Sequence, residues 1–118
     1  MARSAIPDPL ERRHLIERPL DPARALAIAE AYLKDGRTVE AVAFLRKADA
    51  QDRLGALWQE AVRDGDPFLL RETAQALGRE PDLAAWRQLE GAAAAAGKDR
   101  YAAEARRQVE RLANRQGG

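Results

Sequence analysis

Apolar and small residues recur three and four positions apart through most of this chain, most legibly between Ala31 and Ala48. Ile28, Tyr32 and Leu33 lead up to Gly36, and Ala41, Phe44, Leu45 and Ala48 follow it. A glycine between two groups with helical spacing suits a left-handed C-cap, so this stretch predicts one antiparallel helical hairpin. The same reading predicts helices over 22–35, 39–49, 51–64, 67–77, 81–96 and 99–114, with Gly36, Gly65, Gly78 and Gly97 near successive C-terminal ends. Asp8-Pro9, Asp21-Pro22 and Asp66-Pro67 each place a capping carboxylate before a residue pre-set for the first turn. Asp8 and Glu11 have the spacing of a capping box, which predicts a short helix from Pro9 to about Glu17, stopped by Pro19. Too short to stand alone, it is expected to dock through Leu10, Leu15 and Ile16. The weakest boundary is at Ala50, where Asp49-Ala50-Gln51-Asp52 has no strong breaker and the flanking helices are free to merge.

Composition supports helices and little else. Alanine occurs 26 times, whereas there are three Ile, four Val and two Thr, too few to build strands. The 118 residues suit one domain, with an arm over 1–20, a helical body over 21–115 and a frayed tail over 116–118. The 20 basic and 19 acidic residues nearly cancel, removing the overall field of a general nucleic-acid or anionic-membrane binder. Of the basic residues 17 are Arg and three are Lys, a bias that GC-rich coding DNA also produces. No stretch approaches the ~20 apolar residues of a membrane span, and the N-terminus lacks the apolar core of a signal peptide, so a soluble cytoplasmic protein is expected.

Gly36, Gly65 and Gly97 lie 29 and 32 residues apart. Aligning on them sets Tyr32 against Ala61 and Ala93, Ala41 against Leu70 and Ala102, and Ala48 against Leu77 and Val109. Repeats of about this length are hairpins that bury their apolar faces by stacking. The first unit, roughly residues 21–50, resembles a tetratricopeptide repeat, with Ala29, Tyr32, Gly36, Ala41, Leu45 and Ala48 at that family's small, aromatic, turn and packing positions. The later units depart from it. Trp58 stands where a small residue belongs, Ala61 and Ala93 replace the aromatic, and both spacings fall short of the family's ~34 residues. The resemblance implies an all-α, right-handed stack of three antiparallel hairpins with a short N-terminal helical arm. An irregular bundle of the same six helices is the alternative.

The resemblance further implies a concave surface, lined by the first helix of each hairpin, that receives a peptide or helix of a partner protein. Its exposed positions here are Glu30, Lys34, Gln59, Arg63 and Arg87. Lys34 and Arg63, just ahead of their turn glycines, form a basic ladder suited to an acidic peptide or a C-terminal carboxylate. The paired asparagines of carboxylate-binding family members are missing, since Asn114 is the sole Asn. The plainer account is a solvated helix face with i,i+4 pairs such as Glu30 with Lys34. Trp58, Trp86, Phe44, Phe68, Tyr32 and Tyr101 are expected to be core, the tryptophan ring nitrogens near its edge.

The last helix carries Arg100, Arg107, Arg111 and Arg115 opposite an apolar line of Tyr101, Ala105, Val109 and Leu112. That face suits phosphates or an acidic partner, but Glu104 and Glu110 dilute it and no aromatic platform is evident, which disfavours nucleic acid. The polar outer face of a terminal helix explains the same residues. Catalysis is poorly supplied, because His14 and Ser4 are each the sole residue of their type and there is no Cys. No metal, cofactor or phosphate loop is implied, and Glu11 with His14 is a single helical spacing without its pair. The sequence thus points to a non-enzymatic interaction module or scaffold, with a homo-oligomeric structural subunit as the alternative and a nucleic-acid-associated protein as a third reading.

Overall fold

Every short connection between helices in this protein must dispose of carbonyls left unpaired at a helix end, and one solution recurs. The computed structural model describes residues 6–117, which hold seven α-helices and no strand. They are α1 (Pro9–Glu17), α2 (Pro22–Lys34), α3 (Thr38–Lys47), α4 (Gln51–Asp64), α5 (Pro67–Leu77), α6 (Leu83–Ala95) and α7 (Asp99–Gly117). The protein is therefore all-α over these residues, and among them no helix is long and apolar enough to cross a membrane. Ser4 and Gly118 lie outside the described residues.

After α2 the Gly36 N–H donates to the Leu33 carbonyl and the Arg37 N–H to Tyr32. After α4, Gly65 donates to Val62 and Asp66 to Ala61; after α6, Gly97 donates to Ala94 and Lys98 to Ala93. This is the Schellman pair of bonds, which needs a left-handed residue at its pivot. Tyr32, Ala61 and Ala93, aligned by the sequence repeat, are the three acceptors of the longer bond. Gly78 closes α5 in the same way through Gln75 and Ala74.

The boundary at Ala50 uses the device without glycine. Asp49 adopts a φ of 52°, its N–H donating to Arg46 and that of Ala50 to Leu45, so α3 and α4 are separate helices. Asp is one of the few residues tolerated there, because its short polar side chain bonds locally; here Oδ1 accepts from Gln51 Nε2 at 2.8 Å.

Helix starts follow the Asp-Pro signals. Asp8 accepts from the Glu11 N–H, Asp21 from Arg24, and Asp66 from both Phe68 and Leu69. Two other ends differ from expectation. Helix α6 begins at Leu83 rather than Pro81 because Asp82 supplies the cap, accepting from the Ala85 N–H at 2.8 Å. Helix α7 runs on to Gly117 rather than stopping near Asn114.

The chain divides into two units, Met1–Leu54 and Gly55–Gly118. In the first, α3 folds back on α2 and buries Ala25, Ile28, Ala29, Tyr32, Ala41, Val42, Phe44 and Leu45. The Tyr32 and Phe44 rings stack with centroids 5.7 Å apart. Helix α1 joins α3 with Leu15 and Ile16 half-buried, but Leu10, also expected to dock, is 64% exposed and no α1 residue is fully buried. Arg12 adds a polar anchor. Its guanidinium lies 5.1 and 5.2 Å from the Tyr32 and Phe44 ring centres while Nη1 donates to the Glu40 carbonyl at 3.0 Å. Lys47 reaches the other end of the arm, donating to the Arg18 carbonyl at 2.8 Å. A planar cation over two stacked rings satisfies its charge and covers the apolar faces at once.

In the second unit α7 packs along α6 and touches α5. Its buried residues include Leu57, Trp58, Ala61 and Val62 of α4, Leu69, Leu70 and Ala74 of α5, Trp86, Leu89 and Ala93 of α6, and Ala105 of α7. The Thr73 hydroxyl, fully buried, is satisfied by the Leu69 and Leu70 carbonyls. Gly65 has a φ of 72°, and an added Cβ would lie 2.6 Å from the Ala93 Cα, so the end of α4 meets α6 backbone to backbone. Gly97 has a similar φ with nothing near its Cβ position.

Gly97→Ala should therefore cost only the left-handed penalty, about 1 kcal/mol, while Gly65→Ala should cost that plus the clash with Ala93, about 2–4 kcal/mol in total. Denaturant unfolding of both variants checks this, and equal losses would contradict the close approach. Arg12→Ala should free α1 while leaving α2 and α3 folded, read as loss of amide exchange protection over Arg12–Glu17 alone.

Candidate functional site

Of the five positions singled out for partner contact, Glu30 and Lys34 stand on α2, Gln59 and Arg63 on α4, and Arg87 on α6. No hydrogen bond or ion pair joins any two of them among the described residues. The expected Glu30–Lys34 pair is not formed. Arg53, in the first turn of α4, takes Glu30 instead, its Nε and Nη2 donating to the two carboxylate oxygens at 2.8 and 2.7 Å. The guanidinium fork meets both oxygens in parallel, which the ammonium of Lys34 cannot match. Arg63 donates from Nε to Asp64 at 3.1 Å, a bond that holds its pKa above the ordinary value. Lys34, Gln59 and Arg87 are exposed and, among the described residues, engage no side chain. The other two lysines are committed, Lys47 to the arm and Lys98 to the Asp64 carbonyl at the end of α4, at 2.7 Å.

The densest polar cluster of the second unit forms where α5 and α7 meet. Glu104 of α7 accepts from Arg71 Nη2 at 2.6 Å, from Gln108 Nε2 at 3.2 Å and from the Arg107 guanidinium. Its side chain is 14% exposed. The hydrogen bond from Arg107, then that from Arg71, outweigh burial and lower the Glu104 pKa to about 2. Gln108 passes the network on, its Oε1 accepting from Arg111 Nε at 3.1 Å.

Arg71 and Arg111 also flank an open pocket of about 410 Å³, with Arg79, Glu80, Pro81 and Trp86 on its other sides. The Arg79 guanidinium lies over the Trp58 ring, 4.7 Å from its centre. Trp58 and Trp86 are both core, as the sequence suggests, but the Trp86 nitrogen is not at the core's edge. With the residue 2% exposed, its Nε1–H is buried and meets no acceptor. A buried donor left unmet costs about 1–3 kcal/mol.

On another part of the same unit Phe68 departs from its expected core position. It is 47% exposed and meets Tyr101 edge-on, with centroids 5.5 Å apart. A second cavity of about 410 Å³ is lined by this pair together with Arg100, Ala103, Glu104 and Arg107. The arginine face of α7 thus does have aromatic neighbours, because Asp66 and Pro67 start α5 so that Phe68 is brought against Tyr101. Among the described residues no group of three or more His, Asp or Glu side chains converges as metal ligands would.

Because the Glu104 pKa is lowered in the folded state, its contribution is full above the unfolded carboxylate value, about 4.3, and is lost as pH falls through about 2. Glu104→Gln should destabilise the protein by about 1–3 kcal/mol at neutral pH, and the gap from wild type should close as pH falls from about 5 towards 2. Denaturant unfolding across that range checks it; a gap independent of pH would contradict it. No protein-family model matches the chain, nor does any curated protein or solved structure.

Proposed function

We propose that this chain is a non-enzymatic cytoplasmic interaction module in which hairpins α2–α3, α4–α5 and α6–α7 stack right-handedly in the manner of tetratricopeptide repeats and hold a peptide or helix of a partner protein. The observation that carries the reading is the recurrence of one turn. The same pair of backbone bonds closes α2, α4 and α6, as it does α3 and α5, and α3 packs back on α2 and α7 on α6 across two of these turns. Hairpins started from equivalent turns would present equivalent helix faces, and stacked hairpins bind along such faces. Glu30, Lys34, Gln59, Arg63 and Arg87 form the partner-binding set in this reading. Support comes from Lys34 and Arg87, exposed cations that no carboxylate of the described residues occupies. An acidic segment is the matching ligand.

A second reading, contact with nucleic acid, draws support from the exposed Phe68–Tyr101 pair beside Arg100 and Arg107, since bases stack on aromatic faces while arginines meet phosphates.

Capture of partners by the intact chain should fall at least about tenfold in a Lys34→Glu, Arg63→Glu double variant that retains its helical circular dichroism. Capture unchanged in that variant would contradict the proposed face. Capture abolished by nuclease treatment would replace it with the second reading.

A further inference from the structure

The pocket flanked by α5, the turn after it, α6 and α7 is a different surface from the face just proposed and shares none of its residues. Its lining is rich in donors and poor in acceptors. Arg71, Arg79 and Arg111 border it, against a single carboxylate, Glu80. Arg71 is neutralised by Glu104. Arg111 spends its Nε on the neutral amide of Gln108, and Arg79 rests on the Trp58 ring, so neither guanidinium has a carboxylate among the described residues. The inner wall is apolar, made by Ala74, Pro81 and Trp86. The Trp86 indole N–H, buried and without a partner, offers a reporter within a lining residue.

We propose that this pocket receives a carboxylate carried on a small apolar body, the anion between Arg79 and Arg111 and the apolar part against Pro81 and the Trp86 ring. A volume of about 410 Å³ lies within the range of small-ligand sites. Two guanidiniums without a carboxylate partner match a carboxylate in charge and in the spacing of their free N–H groups. Glu80 repels a second negative charge, which selects a monoanion over a phosphate dianion. A free small acid and the C-terminus of a peptide share this chemistry.

The test is titration of the intact ¹⁵N-labelled chain with N-acetylleucine, N-acetylleucinamide, inorganic phosphate, and a pentapeptide ending in leucine as acid and as amide, following the Trp86 indole N–H resonance. Saturable movement with the acids and none with the amides supports the proposal. Tighter binding of the peptide acid assigns the site to chain termini, and tighter binding of N-acetylleucine assigns it to a free acid. Arg79→Gln with Arg111→Gln should weaken binding at least about tenfold, and Arg111→Gln alone, an exposed change, should weaken it measurably. Lys34→Glu with Arg63→Glu should leave it unchanged, so failure of the partner face and failure of this pocket are separable. Equal response to acid and amide, tighter binding of phosphate, or no response up to about 10 mM would overturn the proposal.

Discussion

The structure depends on a left-handed residue at the end of a helix. An α-helix leaves its last carbonyls unpaired, and a chain that must turn at once into the next helix has no room to satisfy them elsewhere. One residue with positive φ lets its own N–H and the next one reach back, and α2 through α6 all end in this way. Short connections follow, and the apolar faces of α2 and α3, and of α6 and α7, meet. The same turn brings Tyr32 to Phe44 in the first unit and the end of α4 against Ala93 in the second.

Around these turns, basic side chains act as internal braces. Arg12 covers two rings, Arg53 clasps Glu30, Arg71 ties α5 to Glu104 of α7, Arg106 ties α7 to Glu90 of α6, and Lys47 and Lys98 donate to carbonyls at the ends of other helices. Exposed pairs of this kind contribute little individually. Bidentate and partly buried ones fix which helices meet and at what register. Lys34 and Arg87 have no such duty and Arg79 and Arg111 have no carboxylate partner, so these are the charges left to meet something outside the chain.

Local signals were readable before any coordinates. The glycine turns, the Asp-Pro caps and the α1 span are set within about four residues, and Gly36, Asp21 and Asp8 do what their neighbours require. Signals that depend on distant residues were not. Nothing near Asp49 announces a left-handed conformation, because Asp tolerates that state without demanding it. The docking of α1 by Arg12 rather than Leu10 needs two rings brought together by the α2–α3 turn. Phe68 reads as core by its spacing, yet faces outward since Pro67, Leu69 and Leu70 occupy the inner side of α5. The pocket at Trp86 joins residues from 71 to 111, and only Gln108 with Arg111 hints at it through a shared helix face.

Asp49 separates α3 and α4, which would otherwise merge into a single long helix through residues 38–64. In a helix interior alanine is more stable than glycine by about 1 kcal/mol, whereas at a left-handed position the order reverses. The direct measurement is the unfolding free energy of Asp49→Gly against Asp49→Ala. Greater stability of the glycine variant, by about 1 kcal/mol, is the predicted result. Greater stability of the alanine variant would mean that the chain does not turn there, and the separation of α3 from α4 by a left-handed residue would go with it.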